Sequence, residues 1–196
     1  MNYPIIMNDV LPLSEFFCLR DEFEHKGWTL NNYSYKLKKM NVAKDRINWQ
    51  LHGGCTGLIF YKCATTIKLK LQKHLKQNLT FIRAHSNGST FAQGGKFHID
   101  FPEDGVWTFV LFTESNWDTQ WGGEFVARDP KSLEYKYVPY IPNSGALIPS
   151  NWQHLGSSPN AFTETLRTTI AFSFCLDESL NIVMKNSRVA RKFVNV

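Results

Sequence analysis

From Leu79 onward, short β-like runs alternate with turn-forming residues, and this alternation constrains the fold more than any other feature of the sequence. Eight runs are predicted to be strands: Leu79–His85, Lys96–Phe101, Val106–Thr113, Gly123–Ala127, Glu134–Val138, Ala146–Ile148, Trp152–Gly156 and Leu166–Leu176. Turn pairs such as Asn87-Gly88 and Gly122-Gly123 separate them. Eight short strands are the number expected of a two-sheet jelly roll.

Two helices are predicted before these strands. The first covers Pro12–Glu24, with Ser14 as its N-cap and Gly27 ending it. The second covers Gly57–Gln77, and its helically spaced stripe comprises Leu58, Tyr61, Ala64, Thr65, Lys68, Leu71 and Leu75. Two further strands are predicted between the helices, at Trp28–Lys36 and Arg46–Leu51. The expected fold class is therefore α+β, a jelly-roll (double-stranded β-helix) core with N-terminal helices covering one outer face.

The sequence contains no internal repeat, no low-complexity tract and no Ser/Gly-rich linker. Its 196 residues, 43% of them hydrophobic, are enough for one well-packed core. We therefore expect one domain over residues 1–196. Within it, residues 1–78 form the helical and strand support, residues 79–176 the jelly-roll core and residues 177–196 a C-terminal tail.

The last predicted strand shows which of its faces is buried in a core. Side chains alternate along a strand, so one face carries Leu166, Thr168, Ile170, Phe172 and Phe174. The other face carries Arg167 followed by Thr169, Ala171 and Ser173. The large apolar set needs a cover, which the helices supply. A lone arginine above small side chains predicts an inward pocket for an anion.

The strongest local signal for chemistry is the H-x-D sequence formed by His98, Ile99 and Asp100. On a strand, His98 and Asp100 lie on the same face, so both can bind one ion while Ile99 faces away. An H-x-D sequence is short and arises readily by chance. By itself it fits equally well a histidine at a strand end followed by a turn aspartate.

A second histidine and the arginine add to this signal. His154 precedes the last strand, and Arg167 starts it. Two histidines and one carboxylate leave metal positions open, which suits Fe(II) that binds a co-substrate and dioxygen. A structural zinc site usually has four ligands, including cysteines, and no cysteine is near. Arg167 provides a permanently charged fork for a carboxylate.

Together these residues resemble a known family. His98-x-Asp100, the Trp121–Phe125 segment (Trp-Gly-Gly-Glu-Phe), His154 and Arg167 occur in the order found in the 2-oxoglutarate/Fe(II) oxygenases of the prolyl 4-hydroxylase type. The resemblance covers roughly residues 79–176. It implies that His98, Asp100 and His154 hold Fe(II) and that Arg167 binds 2-oxoglutarate.

The same resemblance implies an activity: hydroxylation of a prolyl residue in a protein or peptide, as in procollagen-proline 4-dioxygenases. Dioxygen is consumed, succinate and CO2 are the co-products, and ascorbate is a candidate reductant. Two alternatives to this activity remain open for the chain: another substrate class (a free amino acid, another side chain or a nucleic-acid base) and a non-catalytic cupin-like metal-binding module. The Gly-Gly pair itself is predicted to be a bulge or tight turn.

The sequence departs from the family where many members carry tyrosines that help to hold 2-oxoglutarate. The region before H-x-D reads His85-Ser86-Asn87-Gly88, and the strand after it, Phe109–Thr113, has no tyrosine either. The hydroxyl groups of Thr108, Thr169 and Ser173 are the candidates to replace them.

The formal net charge is +5 with a pI near 9.0. The basic residues lie partly in Lys62–Lys76 and partly in the tail, at Lys185, Arg188, Arg191 and Lys192. Dispersed charge of this kind usually marks a solvated surface, and a nucleic-acid or acidic protein partner stays open. No apolar run is long enough to cross a bilayer, so no membrane partner is expected. Met1–Val10 lacks the features of a signal peptide, which predicts a cytoplasmic location.

The remaining cysteines, histidines and tryptophans have simpler interpretations. The cysteines are predicted to be small buried hydrophobic residues, since their spacing suits neither a zinc site nor a disulfide framework: Cys18, Cys55, Cys63 and Cys175. Four histidines are predicted to be ordinary surface or partly buried residues: His25, His52, His74 and His85. The tryptophans near the motifs are predicted to pack in the core rather than to line a peptide groove: Trp107, Trp117, Trp121 and Trp152.

Overall fold

The computed structural model describes residues 3–33 and 47–176. The helices in these residues are α1 (Leu13–Lys26) and α2 (Leu58–Leu75), with one 3-10 turn at Thr119–Trp121. The strands are β1 (Ile5–Met7), β2 (Trp28–Tyr33), β3 (Ile47–Leu51), β4 (Leu79–Ser89), β5 (Val106–Phe112), β6 (Phe125–Arg128), β7 (Tyr135–Val138), β8 (Gly145–Pro149), β9 (Gln153–Gly156) and β10 (Arg167–Leu176).

The strands form two antiparallel sheets. The major sheet has the order β1-β8-β5-β10-β4-β3-β2, and the minor sheet has the order β7-β6-β9. The two sheets pack against each other through buried side chains of β5 and β8 on one side and of β6 and β7 on the other. This is the predicted jelly-roll core, so the predicted fold class is confirmed.

The alternation along β10 divides the interior into two regions, as the sequence predicts. Ile170, Phe172 and Phe174 point into a cluster that also contains the buried faces of both helices. Arg167 and Thr169 point the other way, into the space between the two sheets. The helices therefore cover the outer face of the major sheet.

The second helix buries a face that differs from the predicted stripe. Its buried residues are Phe60, Cys63, Ala64, Ile67, Leu71 and Leu75. Leu58 is 90% exposed and Tyr61 is 56% exposed, contrary to prediction. Ile59 packs against the core while only partly buried, and Phe60 is the first fully buried side chain of α2. Each buried side chain of this size contributes roughly 1.5–3 kcal/mol.

Two local predictions are wrong. Ser14 is not the N-cap of α1, because the helix begins at Leu13 and Pro12 holds the cap position without a side-chain hydrogen bond. Asn87-Gly88 is not a turn, because β4 continues through it to Ser89. A side chain at position 88 would lie 2.9 Å from the Trp49 Cβ, so glycine there permits close packing of β3 against β4. Gly27, with φ of 66°, ends α1 as predicted.

Other sequence predictions have mixed outcomes. Lys96–Phe101 forms no extended strand, and its pairing is reduced to one bridge at His98. The sequence does not predict β1, which pairs with β8. Cys63 and Cys175 are buried as predicted, but Cys18 is exposed. The end of the predicted strand Trp28–Lys36 and the tail 177–196 with its basic residues lie outside the described residues.

Within residues 3–33 and 47–176, no helix has both the length and the apolar character needed to cross a bilayer.

Candidate metal and anion site

Backbone pairing brings the two predicted histidine ligands together. His98 lies in the one bridge formed by the segment after Gly95, and its partner is His154 on β9. The His98 amide donates to the His154 carbonyl at 3.1 Å, and the His154 amide donates to the His98 carbonyl at 2.9 Å. Two residues further along, the Asp100 amide donates to the Ser150 carbonyl at 3.0 Å. The side chains of His98 and Asp100 therefore lie on the same face as His154.

The three side chains, which we call the His–Asp–His cluster, have the spacing of a metal site. One potential ligand atom from each lies within 4.8 Å of the other two. The His154 Nε2 atom lies 3.6 Å from Asp100 Oδ2, and the His98 Nε2 atom lies 3.8 Å from Asp100 Oδ1. His154 is buried, whereas the His98 side chain is 36% exposed, so the cluster opens toward solvent on the His98 side.

Hydrogen bonds on the far side of each ring prepare both histidines to bind a cation. His98 Nδ1 lies 2.8 Å from the Lys96 carbonyl oxygen, and His154 Nδ1 lies 2.9 Å from the Trp152 carbonyl oxygen. A carbonyl oxygen only accepts, so each Nδ1 must carry the proton. This leaves both Nε2 lone pairs free and directed at Asp100. Such backbone support of the second ring nitrogen is usual for histidines that bind metals.

The carboxylate is oriented in the same way. The Thr108 hydroxyl donates to Asp100 Oδ2 at 2.7 Å and also contacts the Ser150 hydroxyl at 2.8 Å. Thr108 is fully buried on β5. The Thr108 hydroxyl therefore supports Asp100, and the other two predicted hydroxyl donors, Thr169 and Ser173, line the pocket.

Electrostatics favour the ligand forms of two cluster members. Burial alone would raise the pKa of Asp100, but the charges of His154 and His98 and the Thr108 hydrogen bond outweigh it, and the net pKa lies below its ordinary value. Burial lowers the pKa of His154, and Asp100 only partly opposes this. At neutral pH the site therefore presents an ionised carboxylate and a neutral imidazole, the forms that bind a divalent cation.

Arg167 lies at the other end of the same interior space. Its side chain is only 4% exposed, and its Nε donates to the Gly123 carbonyl at 2.6 Å. Its Nη2 atom is buried without a hydrogen-bond partner in the described part of the chain. Burial lowers the pKa of Arg167, with the Tyr140 and Glu124 charges opposing. A buried guanidinium with an open edge is costly unless an anion completes its hydrogen bonds.

Two glycines create the space that Arg167 occupies. A Cβ atom on Gly156 would lie 3.1 Å from Arg167 Nη1. A Cβ on Gly123 would lie 2.9 Å from a ring carbon of Trp117 and 3.0 Å from Arg167 Cδ. Gly123 also has φ of 76°, which disfavours any other residue. The interpretation of Gly122-Gly123 as only a bulge or tight turn is thus incomplete, because Gly123 both binds and makes room for Arg167.

Tyr140 was not identified from the sequence, although it packs directly on Arg167. The centre of its ring lies 5.3 Å from the guanidinium carbon, a cation–π contact. Its hydroxyl donates to the Thr168 carbonyl and accepts from the Glu114 amide. Burial raises the pKa of Tyr140 to about 12, so the hydroxyl stays neutral. The sequence around Tyr140 contains no motif, so nothing local predicts that this residue packs on Arg167.

The cluster and Arg167 line one pocket of about 350 Å³. One end of the pocket is suited to a divalent metal, because the two imidazoles and the carboxylate of the His–Asp–His cluster are suitable ligands. The pocket fits an anion at the other end, where the Nη2 of Arg167 is open. The wall between the two ends is formed by Thr169 and Ala171 of β10 and by Val110 and Phe125. These small and apolar side chains leave room for a ligand that reaches both ends.

The pocket also contains residues that the sequence did not single out as functional. β4 contributes Arg83, His85 and Asn87, which alternate on its inner face. The β4–β10 register sets Asn87 opposite Thr169 and Arg83 opposite Ser173. His85 is partly buried, which lies within the prediction, and it also forms part of the pocket wall. The period-two pattern of Arg83, His85 and Asn87 was the available signal, but the predicted strand ended at His85.

The other predicted assignments of aromatic residues agree with the structure. Trp117 is buried in the cluster between the sheets, and Trp121 and Trp152 pack against that cluster. Trp107 packs on the helical side of the major sheet. All four tryptophans therefore contribute to core packing, as expected.

No protein-family model matches the sequence, and no curated protein does. Solved structures do match the fold. An oxidoreductase of the 2OG-Fe(II) oxygenase family from Burkholderia pseudomallei superimposes with a TM-score of 0.64 at 10% identity, covering 87% of this chain and 84% of its own. A prolyl hydroxylase from Trichoplax adhaerens, solved with a hypoxia inducible factor peptide fragment, gives 0.58 at 18% identity, covering 94% and 87%.

A third match is HygX from Streptomyces hygroscopicus, solved with nickel, 2-oxoglutarate and hygromycin B. It gives a TM-score of 0.63 at 11% identity and covers 88% of this chain and 82% of its own. At these identities the comparison shows the fold alone. The chain thus has the fold of 2-oxoglutarate/Fe(II) oxygenases and carries a candidate His–Asp–His metal site within it.

Proposed function

We propose that this chain is an Fe(II)- and 2-oxoglutarate-dependent dioxygenase that hydroxylates a prolyl residue in a protein or peptide. The observation that carries the proposal is the pairing of two sites in one pocket. The His–Asp–His cluster offers metal ligands, and the buried Arg167 offers an open guanidinium edge. A metal site alone would need no buried cation beside it, whereas a dicarboxylate that also binds the metal explains both.

In this proposal His98, Asp100 and His154 hold Fe(II), and Arg167 binds the distal carboxylate of 2-oxoglutarate. Bound there with dioxygen, the metal and co-substrate supply the oxidation that yields succinate, CO2 and a hydroxylated product. The residues of the chain orient these groups. The carbonyls of Lys96 and Trp152 hold the two imidazoles in the ligand tautomer.

At the Arg167 end, the guanidinium is held rigidly and can therefore orient the carboxylate that it binds. Gly123 fixes Nε and the Tyr140 ring covers one face of the guanidinium, so the open Nη2 has one direction in which to bind. Thr169, two residues along the same inward face of β10, is the nearest predicted hydroxyl donor for the same carboxylate. It takes this role in place of the tyrosines that many oxygenases of this type carry. Ascorbate as a reductant rests on the family resemblance alone.

The prolyl substrate is supported by one structural match and by the opening of the pocket. One solved structure with this fold is a prolyl hydroxylase bound to a peptide, and the pocket opens to solvent on the His98 side, where the side chain is 36% exposed. An extended peptide can approach such an opening. The structure of HygX was solved with hygromycin B, so the fold by itself does not select a peptide.

The direct test is succinate formation from 2-oxoglutarate by the purified chain with Fe(II) under air, first without and then with proline-containing peptides. We expect slow succinate formation without substrate and faster formation with a prolyl substrate. Mass spectrometry of the peptides should show one added oxygen atom that depends on 2-oxoglutarate.

Each outcome separates the candidate functions. A non-catalytic cupin-like module would bind metal without forming succinate under any condition, and this result would reject the oxygenase. Succinate formation that no prolyl peptide stimulates, together with stimulation by single-stranded DNA or RNA, would retain the oxygenase and reject the prolyl substrate. Binding to nucleic acid should in that case weaken as salt rises.

A further inference from the structure

The pocket contains a second arginine, and its position differs from that of Arg167. Arg83 lies on the inner face of β4 and lines the same pocket. The register sets it opposite Ser173, six residues along β10 from Arg167. At about 3.3 Å per residue this separates the two backbone positions by roughly 20 Å. The two guanidiniums thus approach the pocket from opposite ends, with the His–Asp–His cluster nearer to Arg83.

The contacts of Arg83 hold its guanidinium in place and leave its Nε donor unused. The guanidinium carbon lies 4.7 Å from the centre of the Phe101 ring, so the plane is supported by a buried aromatic face. The Arg83 Nε atom is buried with no hydrogen-bond partner in residues 3–33 and 47–176. A guanidinium supported on one face has its donor edge pre-oriented at little further cost in entropy.

Asp100 accounts for only part of the role of Arg83, whose charge helps to lower the pKa of that carboxyl group. The closest approach, from Arg83 Nη2 to Asp100 Oδ1, is 4.0 Å, longer than a hydrogen bond. Asp100 already accepts from Thr108 and faces both histidines. The Arg83 side chain is 35% exposed, whereas Asp100 is 13% exposed. Arg83 therefore extends from beside the cluster toward solvent, where a substrate must enter.

We propose that Arg83 binds a carboxylate of the primary substrate, next to the residue that is oxidised. This inference rests on the oxygenase activity in the proposed function and adds that the substrate carries a carboxylate. The planar fork of arginine matches a carboxylate with two parallel hydrogen bonds. Two sources can present that group. One is the carboxylate of a free amino acid such as proline, and the other is an acidic side chain adjacent to a prolyl residue in a peptide.

The test measures binding rather than turnover. Isothermal titration uses the full chain loaded with Ni(II) and 2-oxoglutarate, and two probe pairs that differ only in charge. The first pair is L-proline and L-prolinamide. The second is the capped peptide acetyl-Glu-Pro-Gly-amide and its counterpart with Gln in place of Glu. Each acid and its neutral partner are measured on the wild type, Arg83→Gln and Arg83→Lys.

We expect one of the two acids to bind the wild type about tenfold or more tightly than its neutral partner, because a charge-assisted hydrogen bond contributes roughly 1.5–3 kcal/mol. Arg83→Gln should remove this preference, and Arg83→Lys should restore only part of it because lysine lacks the fork. Tighter binding of L-proline than of L-prolinamide identifies a free amino acid as the substrate class. Tighter binding of the Glu peptide than of the Gln peptide identifies an acidic peptide.

Arg128→Gln is the matched control. The variant loses the same charge, but Arg128 lies on β6 of the minor sheet and contacts Tyr135 and Gln153 instead. The preference should survive in this variant. Equal binding of acid and neutral partner in both pairs overturns the inference, as does a preference that persists in Arg83→Gln. Loss of Ni(II) or 2-oxoglutarate affinity in Arg83→Gln also overturns it, since Arg83 would then act by positioning Asp100.

The proposed function can fail separately. Wild-type chain that forms no succinate with Fe(II) would reject the oxygenase, while the titrations with Ni(II) would still show whether Arg83 recognises a carboxylate.

Discussion

The two ends of the pocket are built in opposite ways. At the metal end, three polar side chains converge, and each is held by a hydrogen bond to a neighbour: the carbonyls of Lys96 and Trp152, and the hydroxyl of Thr108. At the anion end, one side chain fills a space that exists because Gly123 and Gly156 have no Cβ. The first end is defined by the residues that are present, the second by side chains that are missing.

The two ends also differ in how much they depend on a ligand. The His–Asp–His cluster is partly satisfied on its own, because each of its three side chains has a hydrogen bond to a neighbouring group. Arg167 is a buried cation, and its Nη2 has no hydrogen-bond partner among the described residues. Desolvating a charge without a partner is expensive, so the anion end should gain more stability from its ligand. The following predictions test this contrast.

The largest effect is expected from removing the carboxylate of the metal end. Asp100→Ala takes away the only anionic member of the cluster and leaves two imidazoles without their common partner. Even the loss of a supporting group around a metal typically costs 10–100-fold in affinity, so the loss of this ligand should cost more than about 100-fold. Titration with Ni(II) and assays of succinate formation measure it.

Asp104→Ala is the control for that variant, because Asp104 is exposed and contacts Asn151 rather than the cluster. It should bind metal like the wild type. Asp100→Ala with full turnover would remove the basis for the metal site.

The next effect should fall on the anion end alone. Arg167→Ala removes the guanidinium but leaves all three cluster residues in place, so metal affinity should be nearly unchanged. Affinity for 2-oxoglutarate should fall by about 10- to 100-fold, because hydrogen bonds to a charged group contribute roughly 1.5–3 kcal/mol. Titrating 2-oxoglutarate in the succinate assay measures the change. An unchanged requirement for 2-oxoglutarate would show that Arg167 does not bind it.

A smaller effect is expected when the anion end is crowded instead of emptied. Gly123→Ala places a Cβ 2.9 Å from the Trp117 ring and 3.0 Å from Arg167 Cδ. The rigid Trp117 ring cannot yield easily, so Arg167 should shift. We expect a loss of about 1–3 kcal/mol in the free energy of unfolding and weaker binding of 2-oxoglutarate. Urea denaturation and the 2-oxoglutarate titration provide the measurements.

Gly54→Ala separates crowding from backbone strain. Gly54 has φ of 72°, close to the 76° of Gly123, but nothing lies within 4 Å of its added Cβ. It should show only the strain of a positive φ, about 1 kcal/mol, and normal binding of 2-oxoglutarate. If the two alanine variants behave alike, the space around Arg167 is not what Gly123 provides.

The contrast between the ends explains what the sequence could predict. His98 and Asp100 are two residues apart, so their common face follows from strand geometry alone. Arg167 was identified from the small residues that alternate with the apolar face of β10. Both inferences need only local periodicity, which a sequence shows directly.

What the sequence could not predict depends on contacts between distant segments. The spacing of Gly123 and Gly156 from Arg167 follows from how the two sheets pack. Tyr140 lies far from every motif. Asn87 was missed because the predicted strand ends at His85 and Asn87-Gly88 was interpreted as a turn. Arg83 lies inside that predicted strand, but its place in the pocket follows only from the pairing of β4 with β10. The true reason for Gly88 is the close approach of Trp49, and this contact across strands leaves no local pattern.

The smallest effect should be a pH dependence that belongs to the metal end. Burial lowers the pKa of His154 in the folded chain, whereas an unfolded histidine titrates near 6.5. As the pH falls, the unfolded chain therefore takes up the proton first. Stability contributed by neutral His154 is present above about pH 6.5 and is lost as the pH falls below it, by at most about 1.4 kcal/mol per pH unit.

Urea denaturation of the metal-free protein between about pH 7.5 and 5.5 measures this slope. Burial also lowers the pKa of His85, so His85 acts in the same direction, and both histidines need their own variant. His154→Gln and His85→Gln should each flatten the slope. Asp100 does not interfere in this range, because a carboxyl group with a lowered pKa loses its contribution only at more acidic pH. Identical slopes in the wild type and both variants would show that proton binding at the metal end does not couple to folding. The contrast between the ends would then rest on the anion end alone.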